Sequence, residues 1–203
     1  MADVKHFDPD IALDSAQQLF WRRGAAEVGI ADVVTATGLS RSSLYATFGG
    51  KQQLYLAALE RYIQQGSAPM LRQLSEDDRG LPAVAAFFAR LVSIRCTGPR
   101  ARWGCMIANA HAAGEGGDAQ VATLLERHHA LLVGALRAAL ERAGELGQLR
   151  PGAEPADLAD VMVLLAYGVN LRSRSGADTA ALQRPIAAFL ASISVNTPTK
   201  EPL

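Results

Sequence analysis

Apolar residues recur along this chain at intervals of three and four, and no stretch alternates with the period of a strand. Ile11, Ala12, Ser15, Ala16, Leu19 and Phe20 form the inward stripe of a first helix. Asp8 or Asp10 is placed to cap it, Pro9 suits its first turn, and Gly24 ends it. Ile30, Val33 and Val34 predict a short second helix, broken at Thr37-Gly38, where glycine can take the left-handed corner. Ser40 then caps a third helix through Thr47, with Leu44 and Phe48 one turn apart on its inner face. After the Gly49-Gly50 turn, Lys51 opens a longer helix with the stripe Leu54, Leu56, Ala57, Leu59 and Ile63. Gly66-Ser67 and Pro69 predict a kink or stop there.

The same spacing continues beyond the polar loop 75–80. Leu81 to Ile94 predicts a helix with Val84, Phe87, Phe88, Leu91 and Val92 inside, and Trp103 to His111 a short one. Asp118 to about Ala143 is the longest, with Val121, Leu124, Leu125, His128, Leu131, Leu132, Ala135, Leu136 and Leu140 as its stripe. Pro155 to about Arg172 is apolar almost all round, which predicts burial on more than one side. Asp178 caps a final helix containing Pro185. The expectation is an all-α protein of about nine helices. Its expected domains are 1–50, a helix-turn-helix, then 51–195 for effector binding and dimerisation, and a flexible tail at 196–203.

The third helix carries the chemistry. With Leu44 and Phe48 inward, Arg41, Ser42, Ser43, Tyr45 and Thr47 are left outside, a hydrogen-bonding face behind a short helix and a glycine corner. That layout describes a DNA-reading helix-turn-helix. Arg41 is the sole cation there, and arginine suits guanine or phosphate. Lys51 opens a helix against the local dipole, which favours a phosphate partner. The candidate DNA-contacting residues are Ser40, Arg41, Ser42, Ser43, Tyr45, Thr47 and Lys51.

The run from Gly38-Leu39-Ser40 through Leu44-Tyr45 to Phe48 and Lys51 resembles the signature of TetR-family repressors, and the likeness extends over about residues 9–62. Val28-Gly29 departs from the Thr-Ser that the family commonly has before its second helix. The resemblance implies contact of Tyr45 with DNA, a C-terminal helical domain, a two-fold dimer and a small-molecule effector. The last two helices are the expected dimer contact, testable by a charge at Leu165 or Phe189.

Charge refines this reading. Net charge is zero over 203 residues. Residues 20–51 hold Arg22, Arg23, Arg41 and Lys51 against Glu27 and Asp32, so any positive field is local. Polar groups on apolar faces mark candidate effector contacts: Asn109, His128, Tyr167 and Asn170, joined by Phe88 and Cys105. The effector is expected to be a small hydrophobic or electrophilic molecule. The Gly104-Cys105 opening resembles that of a TetR branch containing electrophile and oxidant sensors, so a thiol sensor at Cys105 is an alternative. A helical ligand-binding module without DNA activity is another. Motifs for hydrolase, phosphate-loop, zinc-protease or dinucleotide chemistry are missing from the sequence, so neither enzyme activity nor a cofactor is expected. Two cysteines fall short of a disulfide framework, His128-His129 lacks metal-ligand spacing, and no apolar run reaches membrane-spanning length. A cytoplasmic location is expected.

Overall fold

A computed structural model describes residues 7–195. The helices are α1 (Pro9–Arg23), α2 (Ile30–Thr37), α3 (Arg41–Phe48), α4 (Lys51–Arg61), a π segment (Tyr62–Ser67), α5 (Ala68–Ser75), α6 (Leu81–Cys96), α7 (Met106–Ala112), a 3-10 turn (Glu115–Gly117), α8 (Ala119–Glu145), α9 (Pro155–Arg174) and α10 (Thr179–Ile193). Lys51 to Ser75 is helical without interruption, so the α-helices make nine continuous rods among the described residues. The sole extended pairing among them is the antiparallel bridge between Leu149 and Ser194. The expected tail, 196–203, lies outside the described residues.

The chain divides into two compact units, and the division is not at residue 50. One unit comprises 1–67 and 105–128, the other 68–104 and 129–203. Compactness groups the chain differently from the expected 1–50 and 51–195, because α4 packs with α1 and α3, and α7 packs with α1. Those long-range contacts are invisible to periodicity.

The first unit is built on α1 and α4. Phe20 meets Tyr55 edge-on at 5.1 Å between ring centres, and Trp21 meets Tyr62 at 4.9 Å. Val28, Val33, Leu39, Leu44, Leu54, Leu59 and Ile63 fill the same core. The expected stripe on α4 was partly misplaced: Tyr55 and Ala58 are buried, whereas Leu56 and Ala57 are half-buried. Pro69 has no N–H to give to the preceding turn, and the helix answers with the π segment rather than stopping. α7 begins at Met106, later than expected, because Arg102 and Gly104 both take positive φ, 64° and 69°.

In the second unit α6, α9 and α10 pack together through Val84, Phe88 and Val92, Met162 and Val163, and Leu182 and Ile186. Pro185 stays within a continuous α10, which Asp178 caps by accepting the Ala181 N–H at 2.7 Å. α9 is not covered all round. Leu164 is 70% exposed, and Val161 and Leu171 are also exposed, at spacings of three and seven from one another's turns. Leu131 of α8 is exposed too. Leu165, the position chosen from sequence, is half-buried against the core, and Leu164 is the residue that faces out.

Candidate nucleic-acid interface

Two left-handed glycines bracket α3. Gly38 (φ 70°) ends α2 and Gly49 (φ 81°) ends α3, each returning its N–H to the helix it closes. Ser40 caps α3: its Oγ accepts the Ser43 N–H at 3.1 Å and lies 2.9 Å from the hydroxyls of both Ser42 and Ser43. The three serines thus form one hydroxyl cluster at the N-terminal end of α3, where its N–H groups favour an anion.

Leu44 is fully buried and Phe48 half-buried, and this anchors one side of α3. Arg41, Ser42 and Tyr45 are exposed, and Ser43 and Thr47 half-exposed. Arg41 makes no hydrogen bond or ion pair among the described residues. The Tyr45 ring, 54% exposed, rests on Gly50, where an added Cβ would meet its Cε1 at 3.1 Å. One edge of the ring is backed by Gly50 while the residue as a whole stays exposed. Ala46 is exposed one turn after Ser42 and was overlooked in sequence; its methyl suits contact with thymine.

Lys51 is more constrained than its sequence position suggested. Its Nζ donates to the Ala25 carbonyl at 2.8 Å, tying the start of α4 to the turn after α1. Two of its three N–H donors are left for a phosphate. Arg23 is spent inside the unit, on Asp32 Oδ1 at 2.7 Å and the Glu27 carbonyl at 2.6 Å. Asp32 in turn accepts the Gly29 N–H at 2.8 Å. Its carboxyl is held below the ordinary aspartate range, first by the Arg23 hydrogen bond and then by the Gly29 N–H. Val28, where the family commonly has threonine, is a core residue.

The candidate effector residues fall into both units. Cys105, Asn109 and His128 belong to the first. Cys105 is the N-cap of α7 and is 4% exposed, Asn109 donates to the Trp21 carbonyl at 3.5 Å, and His128 is buried. Phe88, Tyr167 and Asn170 belong to the second. Phe88 is core, edge-on to Phe87 at 5.3 Å. Asn170 is satisfied internally, accepting from Arg95 Nε at 2.5 Å and donating to the Ala166 carbonyl at 2.8 Å. Tyr167 stacks parallel to His129 at 6.1 Å, its hydroxyl 3.3 Å from Nδ1. A cavity of about 90 Å³ in this unit is lined by Met70, Leu74, Ala83 and Phe87, with Arg90 at its edge, and by none of the six candidates.

Known proteins share this architecture and sequence. Residues 12–58 match the family model of bacterial regulatory proteins of the tetR family, and residues 80–189 match that of the tetracyclin repressor-like C-terminal domain. The HTH-type transcriptional repressor ComR of Escherichia coli (strain K12) is 30% identical over 173 residues, which is 85% of this chain and 82% of ComR. A cysteine mutant of the TetR-family regulator CifR, solved with 26 bp double-strand operator DNA, superposes with a TM-score of 0.83 at 23% identity. That match covers 95% of this chain and 100% of CifR. The reduced form of E. coli NemR gives a TM-score of 0.79 at 21% identity, covering 94% and 97%. With helix-turn-helix and C-terminal domain both matched, the latter over more than half its length, the chain belongs to the TetR family of bacterial regulators.

Proposed function

We propose that the chain is a homodimeric repressor that holds a palindromic operator through α3 and releases it when a small hydrophobic or electrophilic molecule binds. The observation that carries this is α3 itself. A helix fixed by buried Leu44 presents an uncommitted arginine, a hydroxyl cluster and a packed but open tyrosine. Ser40, Arg41, Ser42, Ser43, Tyr45 and Thr47 within 1–50, and Lys51 at the start of the next helix, are the proposed contacts. The relatives named above are repressors and regulators, one of them solved on operator DNA. The exposed apolar row on α9 supports a two-fold dimer through α9 and α10, with reading helices about 34–36 Å apart.

Effector contacts are assigned within 51–195, to Cys105, Asn109 and His128 in the first unit and to Phe88, Tyr167 and Asn170 in the second, and buried His128 on the apolar stripe of α8 is what supports them. A thiol switch at Cys105 is the second reading, favoured by its place in the unit that contains α3. No helix among the described residues is long and apolar enough to cross a membrane, and the reading places the protein in the cytoplasm as a binder rather than an enzyme.

Selection of duplexes from a random pool tests the function. Enrichment of one palindromic sequence is expected. An unenriched pool leaves only a helical ligand-binding module. Release by N-ethylmaleimide from wild type but not from Cys105→Ser supports the thiol reading, and equal release from both ends it.

A further inference from the structure

Glu115 sits in the 3-10 turn before α8, sixty residues beyond Tyr55 of α4, yet both its carboxylate oxygens are used within the first unit. Oε1 accepts the Ala25 N–H at 3.1 Å, and Oε2 accepts the buried Tyr55 hydroxyl of α4. Burial, and then the neighbouring Glu115 carboxylate, raise the Tyr55 phenol above its ordinary range, so it stays protonated and donates. Ala25 is gripped from its other side as well, since its carbonyl accepts Lys51 Nζ at 2.8 Å. The same turn reaches α4 once more: Asp118 Oδ2 accepts Gln52 Nε2 at 3.0 Å, while Oδ1 takes the Gln120 and Val121 N–H groups.

These contacts converge on one place. Lys51 and Gln52 form the first turn of α4, immediately after Gly49, which closes α3, and Gly50, which carries the Tyr45 ring. The position of α3 therefore depends on where Ala25 holds Lys51, and Ala25 is held by Glu115. We propose that Glu115 is a positioning residue for DNA reading, acting through Ala25 and Lys51 without touching DNA. The proposal rests on α3 being the reading helix.

Electrostatics gives the test its sign. A carboxylate in a DNA-binding unit repels phosphate, so deleting it for charge reasons alone raises affinity. A positioning role lowers it. The test titrates the full-length protein on the duplex that wild type enriches from a random pool, at a temperature where circular dichroism shows every variant folded. Glu115→Ala is expected to bind about tenfold more weakly, because Ala25 and Lys51 no longer hold the start of α4 and α3 is not kept in its reading position. Glu115→Gln keeps an acceptor for the Ala25 N–H and is expected within about threefold of wild type. Glu115→Asp keeps the charge but draws back by one methylene, so it loses affinity in the same direction and carries the test should the alanine variant unfold. Paired with Lys51→Ala, the alanine variant should show strong coupling, because both act on Ala25 and the second loss adds little. Glu115→Ala or Glu115→Asp binding as tightly as wild type, or losses that simply add, would overturn the proposal. A wild type that enriches no sequence removes the reading helix itself, a failure visible before any variant is made.

Discussion

Arg23 joins the end of α1 to the first turn of α2 by a single carboxylate, and its titration exposes that link. With the Asp32 carboxyl held below the ordinary aspartate range, the link contributes above that range and is lost as pH falls through the depressed value. NMR should find the Asp32 midpoint below that of a free aspartate, about 3.9, and Arg23→Ala should return it there; an unchanged midpoint in the variant would deny the link. Thiols give a second residue-scale test. Cys105 is 4% exposed and Cys96 half-buried, so maleimide should label Cys96 first in native protein. Faster labelling of Cys105 would contradict its burial. Much at this scale was unreadable in sequence. Arg23 and Lys51 were legible as cations, but their partners Asp32 and Ala25 depend on how α1, α2 and α4 meet. Asn170 was legible as a polar group on an apolar helix, but its partner Arg95, seventy-five residues away in sequence, was not.

The elements of the reading head were the most legible part, because caps and corners are local chemistry. Ser40, Gly38 and Gly49 do in the structure what their residue types dictate. Helix α4 was harder, since tyrosine is ambiguous between core and surface, and burial of Tyr55 requires α1 beside it. The joint between α3 and α4 is the sensitive point. Gly50 has φ 128° and lies under the Tyr45 ring, so Gly50→Ala faces both a disfavoured backbone and a clash. Loss of about 1–3 kcal/mol of stability is expected by thermal unfolding, with weaker DNA binding as Tyr45 is displaced. Gly116→Ala, whose nearest neighbour would be Leu125 at 3.9 Å, should stay within about 0.5 kcal/mol of wild type. Equal effects from the two changes would show that Gly50 is not under this constraint.

For the whole molecule, the apolar excess of α9 predicted a partner surface, and on that helix it is Leu164, not Leu165, that is exposed. Leucine at both positions hides which one faces out, and only the packing of Met162, Val163 and Ala166 inward settles the phase. Burying Leu164 contributes about 1.5–3 kcal/mol for each copy, so Leu164→Glu should give monomers in sedimentation while Leu171→Ala only weakens the dimer. An intact dimer in the glutamate variant would place the interface elsewhere. Which distant segments pack together was not legible, since residues 105–128 group with 1–67 across a long stretch of chain. The central claim, that α3 reads DNA sequence, is tested most directly by the ratio of operator to random-duplex affinity in wild type and Arg41→Ala. Arg41→Ala should lose about 1–3 kcal/mol on the operator and little on random duplex, which narrows the ratio. A ratio unchanged by the substitution, together with wild-type affinity for the operator, would contradict the placement of α3 in the groove.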